Sequence, residues 1–297
     1  MKRIFGTGAA LITPFNEQKK IDFKSLEKLI SHINIGAVDY LVLFGTTAEP
    51  SSLTEKEKNN LISYIQSINY YNLPIIISIG GNHTEGVIKQ IKNIKNYNFE
   101  AILSISPYYN RPSQEGIYQH FKKIAESTQK NIILYNVPYR TGSNILPETV
   151  LRLAHEYGNI IGIKEASGNI LQAYEIINKK PKEFSVISGD DTLAFPITLG
   201  GGEGVISVIA QGIPQIISNM INNAYESKID KVFEDYYKIY NIINYLFKEG
   251  NPTGIKAFLN ILNICKLYVR FPLIKASNKL KVKIKTIYNR YISITEI

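Results

Sequence analysis

Eight short apolar segments, each followed by a loop and then by a longer stretch with helical spacing, constrain the fold of this 297-residue chain most strongly. The eight segments are residues 8–15, 40–44, 74–79, 101–106, 131–137, 160–164, 184–188 and 204–209. Most are continuously apolar rather than alternating, as strands are when helices cover both faces of a parallel sheet. The pattern therefore predicts an α/β fold and favours a closed (β/α)8 TIM barrel over an open doubly wound sheet.

Helical spacing occupies the stretches between the strands and the whole C-terminal part of the chain. The helices predicted between strands are residues 23–35, 55–69, 84–96, 114–129, 147–157 and 170–178. After the last strand the pattern is helical only, over residues 213–223, 231–247, 253–263 and 276–291. We therefore expect a barrel over residues 1–225 and a C-terminal α-helical region, an appendage to the barrel, over residues 226–297.

Composition and charge limit the kinds of partner that this chain can have. With 44% hydrophobic and 20% charged residues, the chain has the composition of ordinary globular proteins. No apolar run approaches the length of a membrane span, and the first residues lack a signal-like apolar segment, so we expect no membrane association and a cytoplasmic protein. The formal net charge is +9, but the basic residues are dispersed and only residues 275–290 are locally basic. That pattern is typical of a solvated helix, so we expect no nucleic-acid partner.

The histidines and the cysteine give no sign of a metal site or a disulfide. The four histidines are scattered without ligand-like spacing, and the one cysteine, Cys265, lies in an apolar helical stretch. We therefore predict that the protein binds no metal and that Cys265 is simply buried. The sequence also lacks the G-x-S-x-G nucleophile elbow and the G-x-x-x-x-G-K-[ST] phosphate loop.

If the barrel forms, functional groups should follow the C-terminal ends of its strands. Residues 160–168 are the most informative, because they place Lys164 directly after an apolar strand. Burial disfavours the ammonium form of a lysine, and the neutral amine can attack a carbonyl to form an imine. An equally simple interpretation of this segment alone is a strand-end lysine that points into water.

Other strand ends carry small or polar residues. The second strand ends in Gly-Thr-Thr-Ala-Glu at residues 45–49, whose hydroxyls and N–H groups suit a carboxylate, although an ordinary capped turn would look the same. The fourth and fifth strands end at residues 106–112 and 135–142, and both loops pair tyrosines with an arginine. Phenols can relay protons and a guanidinium can clamp a carboxylate, although each tyrosine alone could be structural. At residues 188–191 and 204–207, small side chains would let a ligand approach the backbone.

Together these residues resemble the pyruvate-dependent class I aldolases related to dihydrodipicolinate synthase and N-acetylneuraminate lyase. The likeness runs along nearly the whole chain and includes two diagnostic stretches. They are Gly45-Thr46-Thr47-Ala48-Glu49, similar to the family's G-[ST]-T-G-E, and Tyr135-Asn136-Val137-Pro138 followed by Gly162-Ile163-Lys164-Glu165-Ala166. The resemblance implies a barrel lyase that uses a covalent Schiff base on its lysine and no separate cofactor.

The resemblance also implies a role for each candidate site residue. Lys164 forms the imine with pyruvate, and Tyr135 is the central acid and base. Thr46 and Tyr109 complete a proton relay with Tyr135, and Tyr109 arrives from a neighbouring subunit. Thr47, together with Thr46, binds the carboxylate of pyruvate, and Arg140 binds the carboxylate of the second substrate. Gly189 and Ile206 line the pyruvate pocket.

Within the family, residues 107–112 and Arg140 resemble the synthases that condense pyruvate with L-aspartate 4-semialdehyde in diaminopimelate and lysine biosynthesis. Sialic acid lyases usually lack that arginine, so Arg140 argues against an N-acetylneuraminate lyase or a 2-keto-3-deoxygluconate aldolase. A non-catalytic ligand-binding barrel is a more distant alternative, and the intact set of implied catalytic residues argues against it. Members of the family are usually homotetramers, so the resemblance implies a dimer of dimers.

Two positions depart from the family pattern without removing a catalytic atom. Ala48 replaces the usual glycine, which argues against a need for positive φ at this turn, and Pro50 follows the glutamate. Pro50 borders the site where lysine-sensitive relatives bind feedback lysine. The groups of that site align with Ser51, Glu55, Lys58, Asn82, Gly86 and Tyr108. Because Gly86 replaces a glutamate that would grip the effector's ammonium and Lys58 adds a like charge, we predict weak or absent inhibition by lysine.

Overall fold

The structure is a computed structural model that describes residues 4–295, with side chains described up to residue 291. Residues 1–3, part of the N-terminal segment without a signal-like run, lie outside the described residues. Two compact units divide the chain. The first unit consists of Met1–Gly6 and Pro74–Ile206, and the second of Thr7–Leu73 and Ser207–Ile297. The expected boundary between a barrel and a helical region at residue 225 stays a prediction.

Within residues 4–295, eight parallel strands close into a barrel in the order of the chain. The strands are β1 Gly6–Ala10, β2 Tyr40–Leu43, β3 Ile75–Ser78, β4 Ala101–Ile105, β5 Asn131–Asn136, β6 Ile160–Glu165, β7 Ser185–Ser188 and β8 Gly204–Ser207. Nearly every strand residue is buried, which is why the strands read as continuous apolar runs rather than alternating ones. The predicted (β/α)8 TIM barrel is confirmed.

Helices follow the strands and continue after the last one. They are α1 Phe23–Ile35, α2 Glu55–Ile68, α3 Thr84–Asn93, α4 Gln114–Glu126, α5 Pro138–Thr141, α6 Pro147–Glu156, α7 Ile170–Lys179, α8 Ala194–Leu199, α9 Pro214–Tyr225, α10 Ile229–Leu246, α11 Thr253–Ile261 and α12 Asn278–Thr295. Among residues 4–295, no helix combines the length and apolar character that crossing a membrane requires.

In the first unit, strands β3 to β7 pair in parallel along the chain. The pairing of β5 with β6 sets Tyr135 beside Lys164 and Asn136 beside Glu165. Because successive strand residues point to opposite faces, one pair faces the barrel interior and the other faces the surrounding helices. This register assembles the candidate site described below.

In the second unit, β1 pairs with β2 and the C-terminal helices pack on one another. Strand β1 is shorter than the predicted segment 8–15, because residues 11–15 are buried in a loop rather than in a strand. Helix α10 contacts α9, α11 and α12. A glycine makes the approach of α11 to α10 possible, since a Cβ on Gly254 would lie 1.9 Å from the carbonyl oxygen of Leu246.

Candidate active site

Lys164 lies near the carboxyl end of β6 in the first unit, where its side chain is buried. The residue is 6% exposed, which excludes the alternative of a lysine that points into water. Its Nζ lies 4.6 Å from the centroid of the Tyr135 ring. Among the described residues, Nζ has no hydrogen-bond or ion-pair partner. A buried amine without a carboxylate partner is suited to act as a nucleophile.

Tyr135 lies on β5 beside Lys164 and is also buried, with 6% of its surface exposed. Its neighbour along the strand, Asn136, belongs to a polar cluster on the other face of the sheet. The structure therefore brings together the predicted imine-forming lysine and the predicted acid and base. Both lie where barrel enzymes carry their chemistry, near the carboxyl ends of the strands.

Gly189 follows β7 and packs directly against the lysine. A Cβ at this position would lie 2.8 Å from Cε of Lys164 and 2.6 Å from Cβ of Ala166. Any larger side chain would therefore displace Lys164. Ile206, on β8, is 1% exposed. Gly189 thus adjoins Lys164, whereas the lining roles of Gly189 and Ile206 stay predictions.

A fully bonded polar cluster lies behind Tyr135 and Lys164, and sequence reasoning missed it. The buried carboxylate of Glu165 accepts hydrogen bonds from Asn136 Nδ2 at 3.0 Å, Gln172 Nε2 at 2.9 Å and the Ser167 N–H at 2.6 Å. Asn136 also donates to Asn144 Oδ1 at 2.8 Å and accepts from the N–H of residue 145. The cluster fixes the ends of β5 and β6, which carry Tyr135 and Lys164.

Tyr109 and Arg140 are exposed, in contrast to Lys164 and Tyr135. Tyr109 is 87% exposed with φ of 72°, a conformation that is uncommon for a bulky residue. Arg140 belongs to the short helix α5 that directly follows β5. Arg111, the arginine of the loop at residues 106–112, extends its side chain toward Gly142, where an added Cβ would lie 3.4 Å from Arg111 Cδ.

In the second unit, Thr46 and Thr47 form a 3₁₀ turn with Ala48 directly after β2. Thr47 is buried, and Thr13 Oγ1 donates to the carbonyl oxygen of Ala48 at 2.7 Å. The expectation that this turn needs no positive φ holds for Ala48 but is wrong for the flanking residues. Phe44 has φ of 58° and Glu49 has φ of 56°, so the strain lies on either side of the turn.

The fold and the site define a class: a (β/α)8 barrel with a buried lysine beside a buried tyrosine near the carboxyl ends of neighbouring strands, where the lysine has no partner among the residues that the structure describes. Such a site can form an imine with a carbonyl substrate. The chain belongs to the dihydrodipicolinate synthetase family, whose model matches residues 3–290. This finding confirms the family resemblance that the two diagnostic stretches indicate.

Relatives match over nearly the whole length of the chain. It is 52% identical to the 4-hydroxy-tetrahydrodipicolinate synthase of Karelsulcia muelleri (strain GWSS), over 97% of this chain and 98% of that protein. Its structure is similar to that of the dihydrodipicolinate synthase from Thermotoga maritima, with a TM-score of 0.94 and 34% identity over 97% of this chain and 98% of that one. The dihydrodipicolinate synthase from Acinetobacter baumannii, complexed with pyruvate, gives a TM-score of 0.92 and 36% identity over 97% and 99% of the two chains.

Proposed function

We propose that this protein is a lyase with 4-hydroxy-tetrahydrodipicolinate synthase activity, which condenses pyruvate with L-aspartate 4-semialdehyde in diaminopimelate and lysine biosynthesis. One observation carries the proposal: Lys164 is buried, its amine has no acidic partner within the described part of the chain, and it lies 4.6 Å from the Tyr135 ring centroid. The match to named synthases over nearly the full length supports the same activity.

The first half of the reaction activates pyruvate. Nζ of Lys164 attacks the keto carbon, and the resulting carbinolamine loses water to form an imine. Tyr135 supplies the proton that leaves with the hydroxyl group. Removal of a proton from the methyl carbon of the imine then gives an enamine, with the electron pair held by the nitrogen. The separate cofactor that other carbanion chemistry requires is unnecessary, because the protonated imine is itself the electron sink.

The second half of the reaction forms the new bond and releases the lysine. The enamine carbon attacks the aldehyde carbon of the semialdehyde, and the aldehyde oxygen takes up a proton. The amine of the semialdehyde then attacks the imine carbon and displaces Nζ of Lys164, which closes the ring and restores the free amine. Tyr135, with Thr46 and Tyr109 as relay partners, carries the protons that these steps exchange.

The remaining candidate residues bind the two carboxylates. In this proposal the hydroxyls of Thr46 and Thr47 hold the carboxylate of pyruvate, and the exposed guanidinium of Arg140 binds the carboxylate of the semialdehyde. Tyr109 reaches the relay from a neighbouring subunit, and its 87% exposure in the single chain is compatible with that role. We further propose a homotetramer built as a dimer of dimers, located in the cytoplasm.

Intact mass after incubation with pyruvate and borohydride tests the imine. We expect a reduced pyruvyl adduct on the wild type and none on Lys164→Ala. Lys180→Met is a matched control, because the side chain of Lys180 is 9% exposed but is paired with Glu203 at 2.8 Å. It should retain the adduct.

The second substrate tests the specific activity. With L-aspartate 4-semialdehyde added, the wild type should release the cyclised product. An adduct without that product would assign the chain to another aldolase of the family. No adduct on the wild type would refute the catalytic proposal altogether.

A further inference from the structure

The turn that carries Thr47 is hydrogen-bonded to a distant part of the second unit. Asn251, two residues before α11, donates from Nδ2 to Oγ1 of Thr47 at 2.9 Å. Thr47 is 3% exposed and Asn251 is half-buried, so this contact is partly shielded from water. We propose that Asn251 is a positioning residue that directs the hydroxyl proton of Thr47 toward a bound carboxylate, and that Lys256 fixes the other end of the same turn. This inference rests on the proposed function, in which Thr46 and Thr47 hold the carboxylate of pyruvate.

The direction of the hydrogen bond determines what the hydroxyl of Thr47 can do. A hydroxyl group has one proton to donate and two lone pairs that accept. Because Asn251 Nδ2 occupies a lone pair of Oγ1, the proton of Thr47 stays available for a ligand oxygen. Donation to the oxygen also polarises the O–H bond and makes it a better donor. A carbonyl or carboxylate oxygen in place of Nδ2 would instead consume the proton.

Lys256 holds the turn at its other end through Glu49. The amine of Lys256 is fully buried and lies 2.5 Å from Oε1 of Glu49, and it also donates to the carbonyl oxygen of Tyr268 at 2.9 Å. The other oxygen of Glu49 accepts from the N–H of Arg270 at 2.8 Å. With both carboxylate oxygens bonded, Glu49 is held in a left-handed conformation that a glutamate seldom adopts.

One short segment therefore anchors the turn at its middle residue and at the residue that ends it. Asn251 and Lys256 flank the start of α11, and they contact Thr47 and Glu49 respectively. Burial lowers the pKa of Lys256, and the attraction of Glu49 opposes that shift. An ion pair with this degree of burial costs desolvation energy, so its value here lies in fixing geometry rather than in net stability.

The readout is the pyruvate concentration that gives half-maximal borohydride trapping on Lys164, because it reports pyruvate binding without the second substrate. Asn251→Ala removes the donor, and we expect the half-maximal concentration to rise about tenfold, the effect of one lost hydrogen bond. Asn251→Asp keeps the shape but offers an oxygen to the Thr47 hydroxyl and adds a negative charge. We therefore expect a larger rise for Asn251→Asp than for Asn251→Ala.

If Asn251 had a structural role alone, the two variants would not differ in this way. The nearly isosteric Asn251→Asp would then raise the half-maximal pyruvate concentration no more than Asn251→Ala does. Equal or smaller effects of Asn251→Asp would overturn the role of Asn251. In every variant, trapping at saturating pyruvate should still reach the wild-type amplitude, since Lys164 is untouched. If the wild type forms no adduct, the proposed function fails. If the adduct forms but its dependence on pyruvate concentration is unchanged by substitution of Asn251, only the role of Asn251 fails.

Lys256→Met tests the other end of the turn, with Lys180→Met as the matched control. Both substitutions remove a lysine from an ion pair with a buried glutamate, but the Lys180–Glu203 pair belongs to the first unit, whereas the turn that follows β2 belongs to the second. We expect both variants to lose thermal stability and only Lys256→Met to raise the half-maximal pyruvate concentration. Equal pyruvate dependence in the two variants would overturn the role of Lys256. If Lys256→Met does not fold, the Asn251 pair still tests the inference.

Discussion

Lys164 leaves no space for a side chain at residue 189, because a methyl group built on Gly189 would lie 2.8 Å from Cε of Lys164. Gly189→Ala should therefore push the amine away from the position in which it attacks pyruvate. A displacement of about 1 Å can cost on the order of a hundredfold in rate, so we expect kcat/KM to fall by about that factor. Steady-state kinetics and the rate of borohydride trapping measure the effect.

Gly158→Ala is the matched control for Gly189→Ala. Among the atoms that the structure describes, none outside its chain neighbours lies within 4 Å of a Cβ built on Gly158. This variant should keep wild-type activity. Retention of full activity by Gly189→Ala would show that Lys164 does not depend on this contact.

Glu165→Gln should destabilise the fold while leaving the adjacent Lys164 chemically intact. The two carboxylate oxygens accept hydrogen bonds from Asn136, Gln172 and the Ser167 N–H. In glutamine an NH2 group replaces one of these oxygens, and at either position it would face a donor instead of an acceptor. A buried donor left without an acceptor costs about 1–3 kcal/mol, and we expect a loss of that size in urea unfolding. Glu115→Gln, at an exposed carboxylate, should change stability little. Equal stability of both variants would contradict the proposed importance of the cluster.

The regular elements could be predicted because their signals are local. Burial on both faces leaves continuous apolar strands, and the capping box of Thr54 and Glu57 marks the start of α2. Helices α5 and α8 were not predicted, because four and six residues are too few to show helical periodicity. The apolar pattern wrongly predicts a strand for the buried loop at residues 11–15, because burial and strand structure leave the same apolar signal.

In the site, too, residues with a local sequence signal could be predicted and contacts between distant residues could not. Lys164 could be predicted because a charged residue at the end of an apolar strand is visible in the sequence. The partner of Thr47 could not be predicted, because Asn251 is separated from it by 204 residues. The contact of Asn136 with Glu165 is not predicted for a related reason, since the two residues are 29 positions apart. Contacts at such separations depend on the tertiary fold and leave no periodic pattern.

Glu57→Gln should make the protein less sensitive to acid. Hydrogen bonds from the guanidinium of Arg270 lower the pKa of Glu57 from 4.5 to about 2. Because the folded-state pKa is depressed, the ion pair stabilises the fold fully above about pH 4.5 and loses its effect as the pH falls toward 2. The difference in stability between wild type and Glu57→Gln should therefore narrow over that range.

Glutamine is tolerated at this position of a capping box, so the start of α2 is retained in Glu57→Gln. Glu55→Gln removes the same charge from the same helix and serves as the control, because the pair of Glu55 with Lys58 is exposed. Urea unfolding between pH 5 and the acid limit measures all three proteins. A constant difference between wild type and Glu57→Gln across this range would refute the linkage.

Cys265 should be unreactive in the native protein. It is 4% exposed, as the sequence predicted, and burial raises the pKa of its thiol to about 12. At pH 8 the reactive thiolate is then present in roughly one molecule in ten thousand. Iodoacetamide should modify the urea-unfolded chain and leave the native protein unmodified by intact mass. Because the chain has one cysteine, equal rates in the two states would show directly that the site is open.

Inhibition by lysine should be weak or absent, because two groups that align with the effector site of sensitive relatives do not favour a cation. In the first unit, Gly86 offers no carboxylate, and a Cβ there would lie 3.2 Å from Nδ1 of His83. In the second unit, Lys58 contributes a positive charge, although its pairing with Glu55 at 2.9 Å partly offsets it. Initial rates measured against increasing L-lysine should show half-inhibition only above about a millimolar, which corresponds to roughly 4 kcal/mol of binding. Tighter inhibition would mean that other groups bind the ammonium, and Gly86→Glu, which restores a carboxylate, would then fail to increase the sensitivity further.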